Sequence, residues 1–272
     1  MGRRLAVLAG RGPLPAQVIG AARARGLEVF VLAFPGETDP DLVRELPHQW
    51  VPLGAVGRAI DALHAARAED VVLIGPVRRP ALSSLKLDRR GIQLLARLGW
   101  RDRGDDRLLQ LLVEELETEG FRVVGADSLI DDAIAPAGLM TAAAPDPAAQ
   151  RDIALGIEVA GRLGDLDIGQ AVVVQQGLVL GVEAAEGTDQ LLARCAALRR
   201  DGPGGVLVKL KKPQQERRAD LPTIGPDTVR RAAEAGMAGI AVHAGNCLII
   251  ERAEVIAAAD RAGLFVIGVA GR

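Results

Sequence analysis

Asp220 stands in "KLKKPQQERRADLPTIGP", residues 209–226, with Lys209, Lys212 and Arg218 close along the chain. Pro222 pushes Leu221 away from helix and towards an extended shape. Gly225 can cap a helix, and Pro226 suits the first helical position, where a missing N–H costs nothing. The segment therefore reads as a polar loop that ends at a helix N-terminus. Such an end carries unsatisfied N–H groups and a partial positive charge, and it attracts phosphate. Cleavage of a phosphoanhydride needs these parts together. A carboxylate holds Mg²⁺ or orients water, while lysines and N–H groups stabilise charge on the phosphates. An ion pair or an Asx-turn is the plainer account of Asp220, but neither gathers acid, lysine, threonine and glycine in one loop.

Three further segments share the design of a polar or glycine-rich stretch running into a helix. In "VEAAEGTDQLL", Glu183, Glu186 and Asp189 are spaced by three around a strand-to-helix turn, where several carboxylates can coordinate a hard cation. Thr188 and Asp189 also suit a helix start on capping and dipole grounds alone. In "RDRGDDRLL", one of Asp105 and Asp106 can cap a helix, which leaves the other spare. In "AGRGPLP", Gly10 and Gly12 give half of a dinucleotide fingerprint. The third glycine is missing, and only Glu37 or Asp39 is placed to hold a ribose. Arg78–Arg79 and Arg89–Arg90 flank "PALSSLKLD" and can grip a phosphate or face anionic headgroups. His48, His64 and His243 are scattered, and Cys195 and Cys247 match no zinc spacing.

Composition narrows the partners. The 33 basic and 35 acidic residues nearly cancel, so no global field favours nucleic acid or membrane. Tyr is absent and Phe and Trp are scarce, which leaves little for base stacking. The N-terminal "LAVLAG" is too short for a signal-peptide core, and no stretch reaches the length of a membrane span. A cytosolic protein with two reduced cysteines is expected.

These segments need elements to hold them. "LAVLA", "EVFVLAF", "HQWVPL", "DVVLIGPV" and "FRVVGA" read as strands separated by helical patterns, the signature of a parallel sheet covered on both faces. "DDAIAPAGLMTAAAPDPAAQ" reads as a linker or domain junction. Beyond it, "QAVVVQQGLVLGVEA" reads as a hairpin turning at Gln176 and Gly177. Strands "GVLVKLKK", "GIAVHAG" and "LFVIGVA" alternate with helices, and "CLIIER" is expected to extend their sheet. The expectation is α/β throughout: a Rossmann-like N-terminal domain with a parallel sheet over 1–134, and a second α/β domain with a mixed sheet over 135–272.

At "VEAAEGTDQLLAR", "KKPQQERRADLPTIGPDTV" and "AGIAVHAGNCLIIERAEVIAAADRAGLFVIGV" the chain resembles the two-domain UDP-2,3-diacylglucosamine pyrophosphatases of lipid A biosynthesis, the LpxI type. "LAGRGPLP", "GPVRRPALSSLKLDRRG" and "GDDRLL" follow the same family in order, so nearly the whole chain is covered. The resemblance implies an Mg²⁺-dependent hydrolase, with Mn²⁺ as a substitute, that yields UMP and 2,3-diacylglucosamine 1-phosphate by attack of water on the β-phosphorus. It places the essential aspartate at Asp220. Glu186 and Asp189 then become further metal-shell or water-orienting acids, and Lys209 and Lys212 neutralise the diphosphate. Gly10, Gly12, Arg78, Arg79, Asp105, Asp106, Gln170, Thr188 and Thr223 are substrate-contact candidates. A cytoplasmic protein is implied, peripheral at the inner membrane and in transient contact with it; a homodimer stays open. The chain departs from the family pattern at Gln214, Glu216 and His243, and no role is carried to Glu216 or His243. The rival readings are a non-catalytic nucleotide-sugar-binding protein and, from the G-x-G turn, an NAD-dependent oxidoreductase.

Overall fold

The computed structural model describes residues 3–78, 85–98 and 105–271. It divides into two compact units, Met1–Asp131 with Glu216–Asp220, and Asp132–Gln215 with Leu221–Arg272. The five-residue segment that carries Asp220 thus belongs to the first unit, although the chain on either side of it belongs to the second.

In the first unit, strands β1 (Arg4–Ala9), β2 (Glu28–Ala33), β3 (His48–Trp50), β4 (Asp70–Ile74) and β5 (Arg122–Val123) form one parallel sheet in the order β3-β2-β1-β4-β5. β1, β2 and β4 are apolar runs buried along nearly their whole length, as strands covered on both faces must be. Helices α1 (Leu14–Ala24), α2 (Pro40–Val43), α3 (Val56–Ala65), α4 (Arg89–Arg97) and α5 (Asp105–Thr118) connect them. The strand order reverses direction between β1 and β4, and at such a point the loops beyond the strand ends open a crevice. Gly10 holds those loops together. A Cβ there would lie 2.3 Å from the Gly75 carbonyl oxygen. The close approach lets Gly10 N–H donate to Ile74 O at 2.8 Å and Arg11 N–H to Pro76 O at 3.0 Å.

The second unit has a six-stranded mixed sheet. Its strands are β6 (Gly138–Leu139), β7 (Ala171–Gln175), β8 (Leu178–Val182), β9 (Val206–Lys209), β11 (Gly239–His243) and β13 (Phe265–Val269), in the order β6-β13-β11-β9-β7-β8. β13, β11 and β9 run parallel, and β6, β7 and β8 pair antiparallel with their neighbours. Helix α6 (Pro147–Asp165) lies against β7 and β9, and its Gly156 leaves no room for a Cβ beside Val208. Helices α7 (Thr188–Ala196), α8 (Pro226–Glu234) and α9 (Arg252–Ala262) complete the unit. The β7–β8 turn is the expected two-residue one. Gln176 and Gly177 both have positive φ, 53° and 74°, the pairing that matches strand twist. Their N–H groups donate to the buried Asp152 carboxylate on α6 at 2.8 and 2.7 Å.

Two expectations are corrected. "CLIIER" does not extend the main sheet. Its strand β12 (Leu248–Ile249) pairs in parallel with β10 (Thr223–Ile224) in a separate two-stranded sheet. The Ala/Pro-rich run does hold the unit boundary, between Asp131 and Asp132, but it is not a free linker. Ala135 N–H donates to Cys247 O, Ile249 N–H donates to Ala133 O, and β6 pairs with β13 as the edge strand. Backbone pairing asks nothing of the side chains, so small residues without a period give no sign of it.

Both cysteines are fully buried in the same core cluster, Cys195 on α7 and Cys247 just before β12. Burial raises the Cys195 thiol above its ordinary pKa and pushes Cys247 up to about 12. Thiolate, not thiol, is the nucleophile. The native protein should therefore take up no iodoacetamide at pH 8, and the denatured chain two equivalents, as read by intact mass. Rapid labelling of the native protein at either position would contradict the packing.

Candidate functional site

The densest polar cluster of the second unit forms where β8 and β9 end. Lys209, the last residue of β9, is only 7% exposed. Its ammonium donates to Thr188 Oγ1 at 2.9 Å and to the Thr223 carbonyl at 3.1 Å. Thr188 is the first residue of α7, and its hydroxyl donates to Glu183 Oε1 at 2.6 Å. Glu183, directly after β8 and 5% exposed, accepts the Gln170 N–H on its other oxygen at 3.1 Å. Gln170 Oε1 accepts from Gln215 Nε2 at 3.3 Å, and Gln215 Oε1 accepts the Lys212 N–H at 3.1 Å.

A threonine hydroxyl has one hydrogen. That hydrogen goes to Glu183, so a lone pair faces Lys209 and the polarity of the chain is set. The ammonium meets two acceptors among the described residues, and a third N–H remains for a ligand oxygen. A buried charge is costly unless hydrogen-bonded, so this geometry holds the cation in place. A fixed cation beyond strand ends suits an oxyanion or a phosphate group.

The structure thus joins Gln170, Thr188, Lys209 and Thr223, and adds Glu183 and Gln215. It does not bring in the other candidates of this unit. Glu186 pairs with Arg194 at 2.8 Å, and its own backbone N–H together with Arg194 holds its carboxyl below the ordinary value. Asp189 pairs with Arg231 at 3.2 Å, and Lys212 Nζ bonds Asp167 at 2.6 Å. A spacing of three aligns side chains only on a helix. Residues 183–187 form a strand end and a turn, so the three acids diverge. Among the described residues no three His, Cys, Asp or Glu side chains gather as a metal cage. Glu186 and Asp189, each ion-paired, do not fit a metal shell. Mg²⁺ usually takes one or two carboxylates, keeps several waters and binds substrate phosphates. A single carboxylate such as Asp220 fits that demand without a cage.

In the first unit, Asp220 closes a short turn, its N–H donating to Glu216 O at 2.8 Å. Arg217 bonds Asp127 at 2.9 Å, and Ala219 packs on the unit's core. Arg218 bonds both Glu216 oxygens and Glu117, and the hydrogen bonds to Glu216 raise its pKa. Arg218 is therefore engaged by two acids rather than turned to a diphosphate. Beyond Asp220 the helix start is as expected, with Gly225 at the N-cap and Pro226 opening α8, but Thr223 and Ile224 form the short strand β10 rather than loop.

The remaining candidates lie around the first sheet. Gly10 serves the loop contact described above, and Gly12 takes φ +82° in open space before α1. Arg78 bonds Glu37 through its side chain at 3.1 Å and its N–H at 2.9 Å, and Arg11 lies 3.9 Å from the same carboxylate. Asp39 caps α2 by accepting the Asp41 N–H. Both acids placed to hold a ribose are thus engaged. Asp106 is buried at the start of α5, while the Asp105 side chain and Arg79 lie outside the described residues. Sequence reasoning named Glu183 only as one of three spaced acids and missed Gln215, Asp127 and Glu117. Glu183 differs from its neighbours in following the apolar strand "LVLGV" directly, the one available signal that it points inward.

Glu183→Ala leaves the Thr188 hydroxyl and the Gln170 N–H without their acceptor. Its unfolding free energy should fall by about 1–3 kcal/mol, measured by urea denaturation. Glu183→Gln, which keeps an oxygen for one of them, should lose less. Equal stability of Glu183→Ala and the parent would show that the cluster does not support the fold.

Two family domain models match the chain in order. The LpxI N-terminal domain model matches residues 4–133, and the LpxI C-terminal domain model matches residues 136–267. The UDP-2,3-diacylglucosamine pyrophosphatase LpxI of Caulobacter vibrioides is 43% identical over 274 residues, spanning 98% of each chain. Solved structures are more distant. WbmG of Bordetella bronchiseptica, in complex with NAD and UDP, is 12% identical with a TM-score of 0.36, over 100% of this chain and 83% of that one. The UDP-glucose 4-epimerase of Thermus thermophilus, in complex with NAD, is 16% identical with a TM-score of 0.33, over 99% and 87%. Likeness at that level carries no argument about the fold or the chemistry. With both domain models matched in order and the identity extending over almost the full length, the chain belongs to the LpxI family.

Proposed function

We propose that this chain hydrolyses UDP-2,3-diacylglucosamine to UMP and 2,3-diacylglucosamine 1-phosphate in lipid A biosynthesis, with water attacking the β-phosphorus. The observation that carries the substrate is the 43% identity over 98% of the chain to a relative of that named activity. The geometry supports the reaction class. The Lys209 ammonium, held by Thr188 and Thr223, offers one N–H to a phosphate oxygen without having to be ordered first. Glu183 keeps the Thr188 hydroxyl turned so that it accepts from Lys209 rather than competing for it. Asp220 orients the attacking water and accepts its proton as the new oxygen–phosphorus bond forms, while the bond from the β-phosphorus to the bridging oxygen breaks and that oxygen leaves on UMP. Mg²⁺, when bound through Asp220, would supply charge neutralisation on the phosphates. The two acyl chains make the substrate a membrane lipid. The enzyme therefore works in transient contact with the inner-membrane surface from the cytoplasm. No described helix is long and apolar enough to cross that membrane.

Two experiments test this. Purified protein should release UMP from UDP-2,3-diacylglucosamine with Mg²⁺, stop with EDTA, and recover with Mg²⁺ or Mn²⁺. Full turnover in metal-free buffer would remove the cation from the mechanism. Binding without UMP release under any metal would make the chain a nucleotide-sugar-binding protein.

Asp220→Ala should fold, as read by its thermal melt, and retain substrate, because a negative charge near the diphosphate has gone. Its turnover should drop by about a hundredfold or more, since the loss falls on water and metal positioning in the transition state. Near-normal UMP release from this variant would make Asp220 structural.

A further inference from the structure

Asp220 lies within the stretch matched by the C-terminal family domain, residues 136–267, yet its segment packs as part of the first compact unit. Three contacts hold it there. Arg217 Nη2 donates to Asp127 Oδ2 at 2.9 Å, and that carboxylate follows β5 on a short 3-10 turn, Ala126–Ser128. Arg218 donates to Glu117 in the last turn of α5 and, at 3.0 and 3.1 Å, to Glu216 within its own segment. Between these arginines and Asp220, Ala219 packs on the core cluster that includes Val113, Leu116 and Val123. Gly125 completes the seat, because a Cβ there would lie 3.6 Å from the Arg218 Cα and 2.2 Å from Asp127 Oδ1.

Five residues held by two arginine side chains, each bonded to an acid outside the segment, and by an apolar contact make a firm mount for the residue that ends them. Single exposed ion pairs contribute little to stability. The two ion pairs are partly exposed, so their use is better sought in geometry than in the melting temperature. Displacing a reacting group by about 1 Å can cost about a hundredfold in rate. We propose that Asp127 and Glu117 are positioning residues for Asp220: through Arg217 and Arg218 they fix the segment whose last residue is the proposed catalytic carboxylate. The inference rests on the assignment of Asp220 made above. It adds that a carboxylate encoded in the second half of the chain is aimed by the first.

The test compares Asp127→Asn, Glu117→Gln and their double variant with the parent protein. In UMP release from UDP-2,3-diacylglucosamine with Mg²⁺, the double variant should lose about tenfold or more in kcat, with KM changed less than about twofold and an unaltered thermal melt. Hydrogen exchange should quicken at the peptide covering residues 216–220, where the Asp220 N–H is bonded to Glu216. Exchanging the partners, with Asp127→Arg and Arg217→Asp together, should recover most of the turnover lost by Asp127→Asn. A parent protein that makes no UMP would sink the functional reading and the positioning role with it. An active parent whose double variant keeps its kcat and its exchange rate would overturn the positioning role alone. So would a double variant that loses activity only by melting at a lower temperature.

Discussion

A lysine ammonium with 7% exposure is the constraint from which the second unit's polar architecture derives. Such a charge cannot be left in the interior without acceptors. Its acceptors, Thr188 and the Thr223 carbonyl, come from α7 and β10, and Thr188 is turned by Glu183 at the end of β8. The ends of β8 and β9 must therefore align to within a hydrogen bond, with β10 and the first turn of α7 meeting them. The hairpin makes that alignment reproducible. Its two-residue turn pairs Gln175 with Leu178 and Val174 with Val179, a one-residue shift between Val173 and Val174 sets the register beyond, and Asp152 ties the turn to α6. A polar group at one end of the sheet is thus placed by the turn at the other end together with the register shift between them.

Glycine serves a matching purpose where backbones must touch. At Gly10 the loops after β1 and β4, at the strand-order reversal, approach until no Cβ fits. At Gly156 the absence of a side chain lets α6 reach Val208. Gly12, by contrast, is there for its left-handed backbone rather than for lack of space. The G-x-G spacing that suggests a dinucleotide turn is explained here by one close approach and one positive φ. Glu37 and Asp39, the acids a ribose would need, are occupied by Arg78 and Arg11 and by the cap of α2.

Ion pairing decides which acids and bases stay available for chemistry. Glu186, Asp189, Lys212 and Arg218 all look catalytic in a linear reading, and each is matched by a partner distant in sequence or on a neighbouring turn. Glu183 and Lys209 are not ion-paired directly with one another. The intervening hydroxyl keeps them apart and, among the described residues, leaves the ammonium one unspent donor.

The sequence by itself determined the two α/β halves, because strands buried on both faces must be continuous apolar runs and the helices between them must be amphipathic. It also determined the hairpin at Gln176 and Gly177 and the helix start at Gly225 and Pro226, where backbone conformation is a local property of the residue. Family membership was legible in long motifs running the length of the chain. Only the tertiary structure decided that "CLIIER" pairs with β10 and that the Ala/Pro-rich run is folded onto the second unit, since backbone hydrogen bonds leave little trace in side-chain pattern. Only it decided that Glu183 faces Thr188 while Glu186 turns to Arg194, because around a strand end and a turn a spacing of three sets no common face. The return of residues 216–220 to the first unit was hidden for the same reason. It depends on Arg217 meeting Asp127 and Arg218 meeting Glu117, partners 90 and 101 residues away, and long flexible side chains find such partners by proximity in space.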